Sequence, residues 1–267
     1  MSEKHTPGGI VTHPATRLDQ GGATPRIESL AEEAAVALVY NGISHAVMMA
    51  TPLDLEDFAL GFSLTEGILS RREELYDLDI STSAHGITLD MRITEPRFLA
   101  LKDTRRTLAG RTGCGLCGQE SLEQAMRPAP RVTSTARLHP REVDAALARL
   151  ATLQPLNQAT GAVHAAGAWL GGDLLVREDV GRHNALDKLI GALARTQATP
   201  TLLVMSSRAS YEIVYKAAVA GIPVIAAISA PTALAVQMAD AAGITLIGFA
   251  RESRMTVYTH PERLTTS

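Results

Sequence analysis

Two cysteines, Cys114 and Cys117, are the only ones in a chain of 267 residues, and they stand three apart in Gly113-Cys114-Gly115-Leu116-Cys117-Gly118. A C-x-x-C pair suits three chemistries: half of a zinc site, a redox disulfide, or a reactive thiolate. A structural zinc needs four ligands, and there is no second C-x-x-C. The nearest histidines, His85 and His139, each lie more than twenty residues away. A thioredoxin-type pair opens a helix directly after a buried strand, whereas this one follows a stretch without apolar periodicity. Gly110, Gly113, Gly115 and Gly118 let the backbone pass close to a bulky partner. Lys102, Arg105, Arg106 and Arg111 outweigh Asp103 upstream, and positive charge favours the thiolate. An exposed, activated thiol suits passing an atom from one protein to another site. A metal or cluster held by one C-x-x-C from each of two chains remains a rival reading. So does a cofactor-binding chaperone whose thiols are dispensable.

Other chemistry-bearing residues lie downstream. Phe249-Ala250-Arg251-Glu252-Ser253-Arg254 follows an apolar run, Ile244 to Gly248, that reads as a strand. Open α/β sheets bind ligands beyond the carboxyl ends of their strands. There Phe249 offers a ring for stacking, and Arg251 and Arg254 offer guanidiniums for phosphate. The plainer reading is a basic turn before a last strand at Thr256 to Thr259. Arg182, His183 and Arg208 also sit where strands hand over to helices. A cleft-lining role competes with simpler ones: Glu178 or Asp179 as a helix cap, and Arg208 paired to Glu212 one turn on.

These residues need elements to position them. Residues 1–25 are polar and rich in Gly and Pro, and read as a disordered leader with no apolar signal segment. Residues 26–135 read as a smaller α+β subdomain that includes a mobile cysteine loop at about 102–120. Within it, Val36–Tyr40 and Ile43–Met49 form a hairpin around Asn41-Gly42, a pair suited to a primed turn. Thr51 caps a helix whose first residue is Pro52 and whose apolar face holds Leu55, Phe58, Ala59 and Phe62. Asp77–Ile93 reads as two short strands around Ala84-His85-Gly86. Residues 136–267 read as an α/β subdomain, with helices at about 140–150, 181–194, 210–220 and 231–242. Strands fall at 174–177, 201–206, 223–229 and 244–249. That alternation predicts a parallel, right-handed sheet covered by helices. No apolar run approaches the roughly 20 residues that span a bilayer. A net charge of −3 excludes a general nucleic-acid binder. The expectation is a soluble cytoplasmic protein.

Three stretches together resemble a known family. They are Cys114-Gly115-Leu116-Cys117-Gly118, then Arg177-Glu178-Asp179-Val180-Gly181-Arg182-His183-Asn184-Ala185-Leu186-Asp187-Lys188, then Ser206-Ser207-Arg208. They are similar to the formate dehydrogenase accessory sulfurtransferases, the FdhD family, over about residue 35 to the end. The resemblance implies an α/β, cytidine-deaminase-like fold with a mixed or parallel sheet covered by helices, assembled as a homodimer. It implies a sulfurtransferase that takes persulfide sulfur from a cysteine desulfurase. The acceptor would be the molybdenum bis-guanine-dinucleotide cofactor, before that cofactor enters formate dehydrogenase. Carried over by position, Cys114 holds the persulfide and Cys117 assists. Phe249, Ala250, Arg251, Glu252, Ser253 and Arg254 contact the cofactor, His183 joins them on the cleft-lining reading above, and no metal is held by the protein itself. Where a deaminase has H-x-E, this chain has His164-Ala165-Ala166, and Ser206-Ser207-Arg208 stands in place of P-C-x-x-C. Zinc deamination needs both motifs, so only the shape would be shared.

Overall fold

A computed structural model of the chain describes residues 8–109, 128–251 and 254–265. The cysteine pair and the segment expected to be a mobile loop from residue 110 onward lie outside the described residues, as do Glu252 and Ser253.

The amino-terminal sheet has the order β4-β3-β6-β5. Strands β3 (Ala34–Tyr40) and β4 (Ile43–Ala50) form the expected hairpin. Its turn has positive φ at both Asn41 (46°) and Gly42 (78°), the primed geometry that matches strand twist. Strands β5 (Leu75–Ser83) and β6 (Gly86–Ile93) complete the sheet, with β6 parallel to β3. Val36, Leu38 and Tyr40 alternate inward onto Phe58, Ala59 and Phe62 of helix α1 (Leu55–Thr65). The expected start of α1 is corrected. Its N-cap is Asp54, in the left-handed region, and Thr51 is fully buried with its hydroxyl accepting from the Val180 amide. Helix α2 (Glu95–Ala109) extends into the segment expected to be loop, because Leu99 to Ala109 has no Gly or Pro and is rich in Leu, Ala, Lys and Arg.

The segment read as a disordered leader is also corrected. Strands β1 (Ile10–Asp19) and β2 (Gly22–Ala31) form a two-stranded antiparallel ribbon in continuous register. Its β-branched residues favour extended backbone, and Gln20-Gly21 closes a tight turn. Alternation places every charged side chain, including the Arg17–Asp19 and Arg26–Glu28 pairs, on one face. The other face carries Ile10, Pro14, Leu18, Ile27 and uncharged neighbours.

The second sheet has the order β12-β11-β10-β9-β7-β8. Strands β8 (Leu174–Asp179), β9 (Leu202–Met205), β10 (Val224–Ala227) and β11 (Thr245–Arg251) run in one sense. The four strands read from the alternation are thus parallel as expected, while β7 (His164–Trp169) and β12 (Arg254–Val257) run against them and make the sheet as a whole mixed. Strand β7 escapes pattern reading because Ala165, Ala166, Gly167 and Ala168 show no alternation. A side chain at Gly167 would collide with Val204, Leu150 and Leu174. Helices α3 (Pro140–Thr152), α4 (Pro155–Thr160), α5 (Arg182–Thr196), α6 (Tyr211–Val219) and α7 (Ala233–Ala242) complete the elements. Among them α3 starts on a capping box in which His139 and Glu142 bond each other's backbone amides. Val132 packs with the α5–α7 side of this sheet, and its amide donates to the Ala242 carbonyl.

The two sheets are joined through α1 and α5. A Cβ on Gly61 would overlap the Asp187 carbonyl, and one on Gly191 would overlap the Asp57 carbonyl. The helices therefore meet backbone to backbone. Charged side chains reinforce the seam. Asp57, 3% exposed, accepts from Arg177 and Arg195 at 2.7–2.9 Å. Lys216 of α6 bonds Asp187 at 2.9 Å and Thr65 at 2.9 Å.

Candidate functional site

The site is built along the carboxyl edge of the second sheet. Strand β8 ends there at Asp179, β9 at Met205, β10 at Ala227 and β11 at Arg251. The antiparallel β7 begins there, with His164 opposite Asp179.

At one end of this edge, α5 starts after the turn Val180-Gly181. Gly181 is the N-cap and has no side chain to satisfy the helix amides, and the first turn holds Arg182 and His183 but no acid. The positive end of the helix dipole is thus reinforced by basic side chains, an arrangement suited to an anion. The Arg182 Nε is buried and has no hydrogen-bond partner among the described residues. His183 Nε2 lies 2.8 Å from Glu212 Oε2 and 3.3 Å from Ser210 Oγ. The hydrogen bond from His183 holds the Glu212 carboxyl below its usual range. Burial, then the charges of Arg182 and His183, push the His164 imidazole below its usual range. The Ser206 hydroxyl accepts from the Ala165 amide beside it. Arg208 is exposed, and Glu212 pairs with His183 rather than with Arg208.

At the other end, β11 pairs with β12 through Ile247 and Gly248, bulges between Gly248 and Arg251, and pairs again at Arg251. Phe249 has φ of 53°, unusual for a bulky residue, and its ring is 45% exposed. Its amide donates to the Ser229 carbonyl at 3.2 Å. Gly248 allows the bend, since a Cβ there would strike Pro231 and the Tyr258 ring. Ala250 turns its methyl into the core at 1% exposure, while Arg251 and Arg254 are exposed and face each other across the ladder.

Of the residues singled out in the sequence, the structure gathers His164, Arg182 and His183 with Ser210 and Glu212. It sets Phe249, Arg251 and Arg254 apart from them. Strands β11 and β8 are separated by four strand spacings, or roughly 19 Å. An edge of that length, with an aromatic and arginines at one end and a basic helix start at the other, suits an extended anionic ligand that carries a ring. Glu212 is a site residue that sequence reasoning placed in another pair. A cavity of about 590 Å³ lies at the opposite edge, among Leu64, Ile190, Leu193, Thr199 and Tyr215, and holds none of these residues. Among the described residues, no group of three or more His, Cys, Asp or Glu is placed to hold a metal, and no helix is long and apolar enough to cross a membrane.

Comparison with known proteins adds family relationships. Residues 31–265 match the FdhD/NarQ family. The chain is 59% identical over 243 residues to the sulfur carrier protein FdhD of Cupriavidus necator, covering 89% of this chain and 84% of that one. It is 52% identical over 264 residues to the sulfur carrier protein FdhD of Xanthomonas campestris pv. campestris, covering 97% and 93%. A crystal structure from Desulfotalea psychrophila, of a protein described as a formate dehydrogenase accessory protein, superimposes with a TM-score of 0.76 at 27% identity. It covers 96% of this chain and 99% of that one.

Proposed function

The chain belongs to the FdhD/NarQ family, and from that premise we propose that it is a sulfur carrier for formate dehydrogenase maturation that works through a cysteine persulfide. The donor is a cysteine desulfurase. The Cys114 thiolate attacks the outer sulfur of the desulfurase persulfide, the S–S bond there breaks, and the desulfurase cysteine leaves as a thiolate. Cys117 assists as a relay or resolving thiol. The acceptor, bound as substrate, is the molybdenum bis-guanine-dinucleotide cofactor. The protein acts as a cytoplasmic homodimer that delivers to formate dehydrogenase.

One observation supports this reading above the others: the carboxyl edge pairs a strained, exposed Phe249 with a basic helix start about 19 Å away. The ring and arginines at one end suit a guanine nucleotide. Arg182 and His183 at the α5 amino terminus suit phosphate oxygens. The relatives named as sulfur carriers support the cargo.

The test is intact mass spectrometry after incubation with a desulfurase and cysteine. Wild type should gain the mass of one sulfur atom, reversible by dithiothreitol, and Cys114→Ala should gain none. Unchanged loading of Cys114→Ala would overturn the assignment. A Cys114→Ala/Cys117→Ala protein that still yields active formate dehydrogenase would favour a cofactor chaperone with dispensable thiols.

A further inference from the structure

We propose that Asp179 is a positioning residue: with Lys188 and Thr51 it fixes the turn that aims Arg182 and His183 along the cleft. This rests on reading the carboxyl edge as the ligand site.

Asp179 closes β8 and is completely buried. Each carboxylate oxygen serves two donors. Oδ1 accepts from the Gly181 amide at 2.8 Å and the Asn184 side chain at 3.0 Å. Oδ2 accepts from the Thr51 amide at 3.0 Å and from Lys188 Nζ at 2.7 Å. Lys188 is also completely buried, and it donates to the Thr51 carbonyl at 2.9 Å. Thr51 closes the ring, its hydroxyl accepting from the Val180 amide at 3.2 Å. Asn184 reaches the Met49 carbonyl at 2.8 Å.

Both amides of the turn, Val180 and Gly181, are therefore held by side chains anchored elsewhere, one of them in the joint between β4 and α1. Buried backbone amides must find acceptors, and an apolar pair of the same size would leave those of Thr51 and Gly181 without one. A Cβ on Gly181 would stand 2.9 Å from the Asn184 amide nitrogen, so the turn has no slack. The next two residues are Arg182 and His183. A shift of the turn would move both along the edge, away from His164 and Glu212. A group that only held the fold together would change stability without changing those distances.

The experiment uses the full chain as wild type, Thr51→Val and the charge-neutral pair Asp179→Asn/Lys188→Met. Thr51→Val deletes one acceptor and no buried charge, so it decides the question if the double variant does not fold. Two quantities are read on folded protein: the His164 imidazole titration by NMR, and affinity for guanosine diphosphate by calorimetry. The His164 titration should rise toward the ordinary imidazole range as the two charges retreat. Guanosine diphosphate should bind about tenfold more weakly to the double variant and show a smaller loss with Thr51→Val. A folded variant with His164 unmoved would overturn the proposal, whatever its affinity. If wild type takes up no guanosine diphosphate while His164 still shifts in the variants, the nucleotide reading of the edge fails and the role of Asp179 stands.

Discussion

Phe249 holds a left-handed backbone to present an exposed ring, at a cost of about 1–3 kcal/mol for a residue of its kind. Phe249→Gly removes both the strain and the ring. Its melting temperature should equal or exceed that of wild type. Guanosine diphosphate affinity measured by calorimetry should fall roughly tenfold or more, the worth of one stacked base. His164 carries a second prediction. Its pKa in the folded chain lies below the ordinary imidazole value, chiefly through burial and then through Arg182 and His183. The unfolded chain therefore binds the proton more readily. The stability linked to His164 is complete above about pH 6.5 and declines as pH falls from there toward the lower folded value. His164→Asn should flatten that part of the pH dependence of thermal melts. At this scale the sequence marked Phe249, His183 and Arg182 through their position after strands. It did not reveal Asp179's full role. The cap expected from Glu178 or Asp179 is corrected, since Gly181 is the N-cap and Asp179 instead holds the turn before it; Thr51 lies 128 residues away and its contact exists only after folding.

Strands β3 and β4 were legible from their residue types and the Asn41-Gly42 turn between them, and helices α1 and α3 from the apolar periodicity of one face, although the cap read for α1 was misplaced. β7 and the amino-terminal ribbon were not. The first is made of small residues buried on both faces, and the second alternates too weakly to outweigh its Gly and Pro content. The seam between α1 and α5 was likewise unreadable, since a helical glycine carries no local sign of what approaches it. Its prediction is sharp nonetheless. Gly61→Ala or Gly191→Ala forces a methyl into a backbone carbonyl and should cost roughly 3 kcal/mol in urea unfolding. Leu18→Lys on the ribbon, at a position 77% exposed, should change stability by less than about 0.5 kcal/mol.

Across the whole molecule, the amino-terminal sheet and the mixed sheet share ionic contacts as well as backbone contact. Asp57 serves Arg177 from β8 and Arg195 from α5. Asp57→Ala should cost about 2 kcal/mol by chemical denaturation, discounted from a fully buried pair because Arg195 is half exposed. The glycine seam has a further consequence. Neither sheet can part from the other without opening solvent onto the Gly61 and Gly191 backbone and stranding Asp57, Asp187 and Lys216. The partly unfolded species that would expose one sheet alone is thus costly. Calorimetry should record one melting peak whose van't Hoff and calorimetric enthalpies agree. Slow amide exchange should take the same free energy in Leu38 and Val204, one in each sheet.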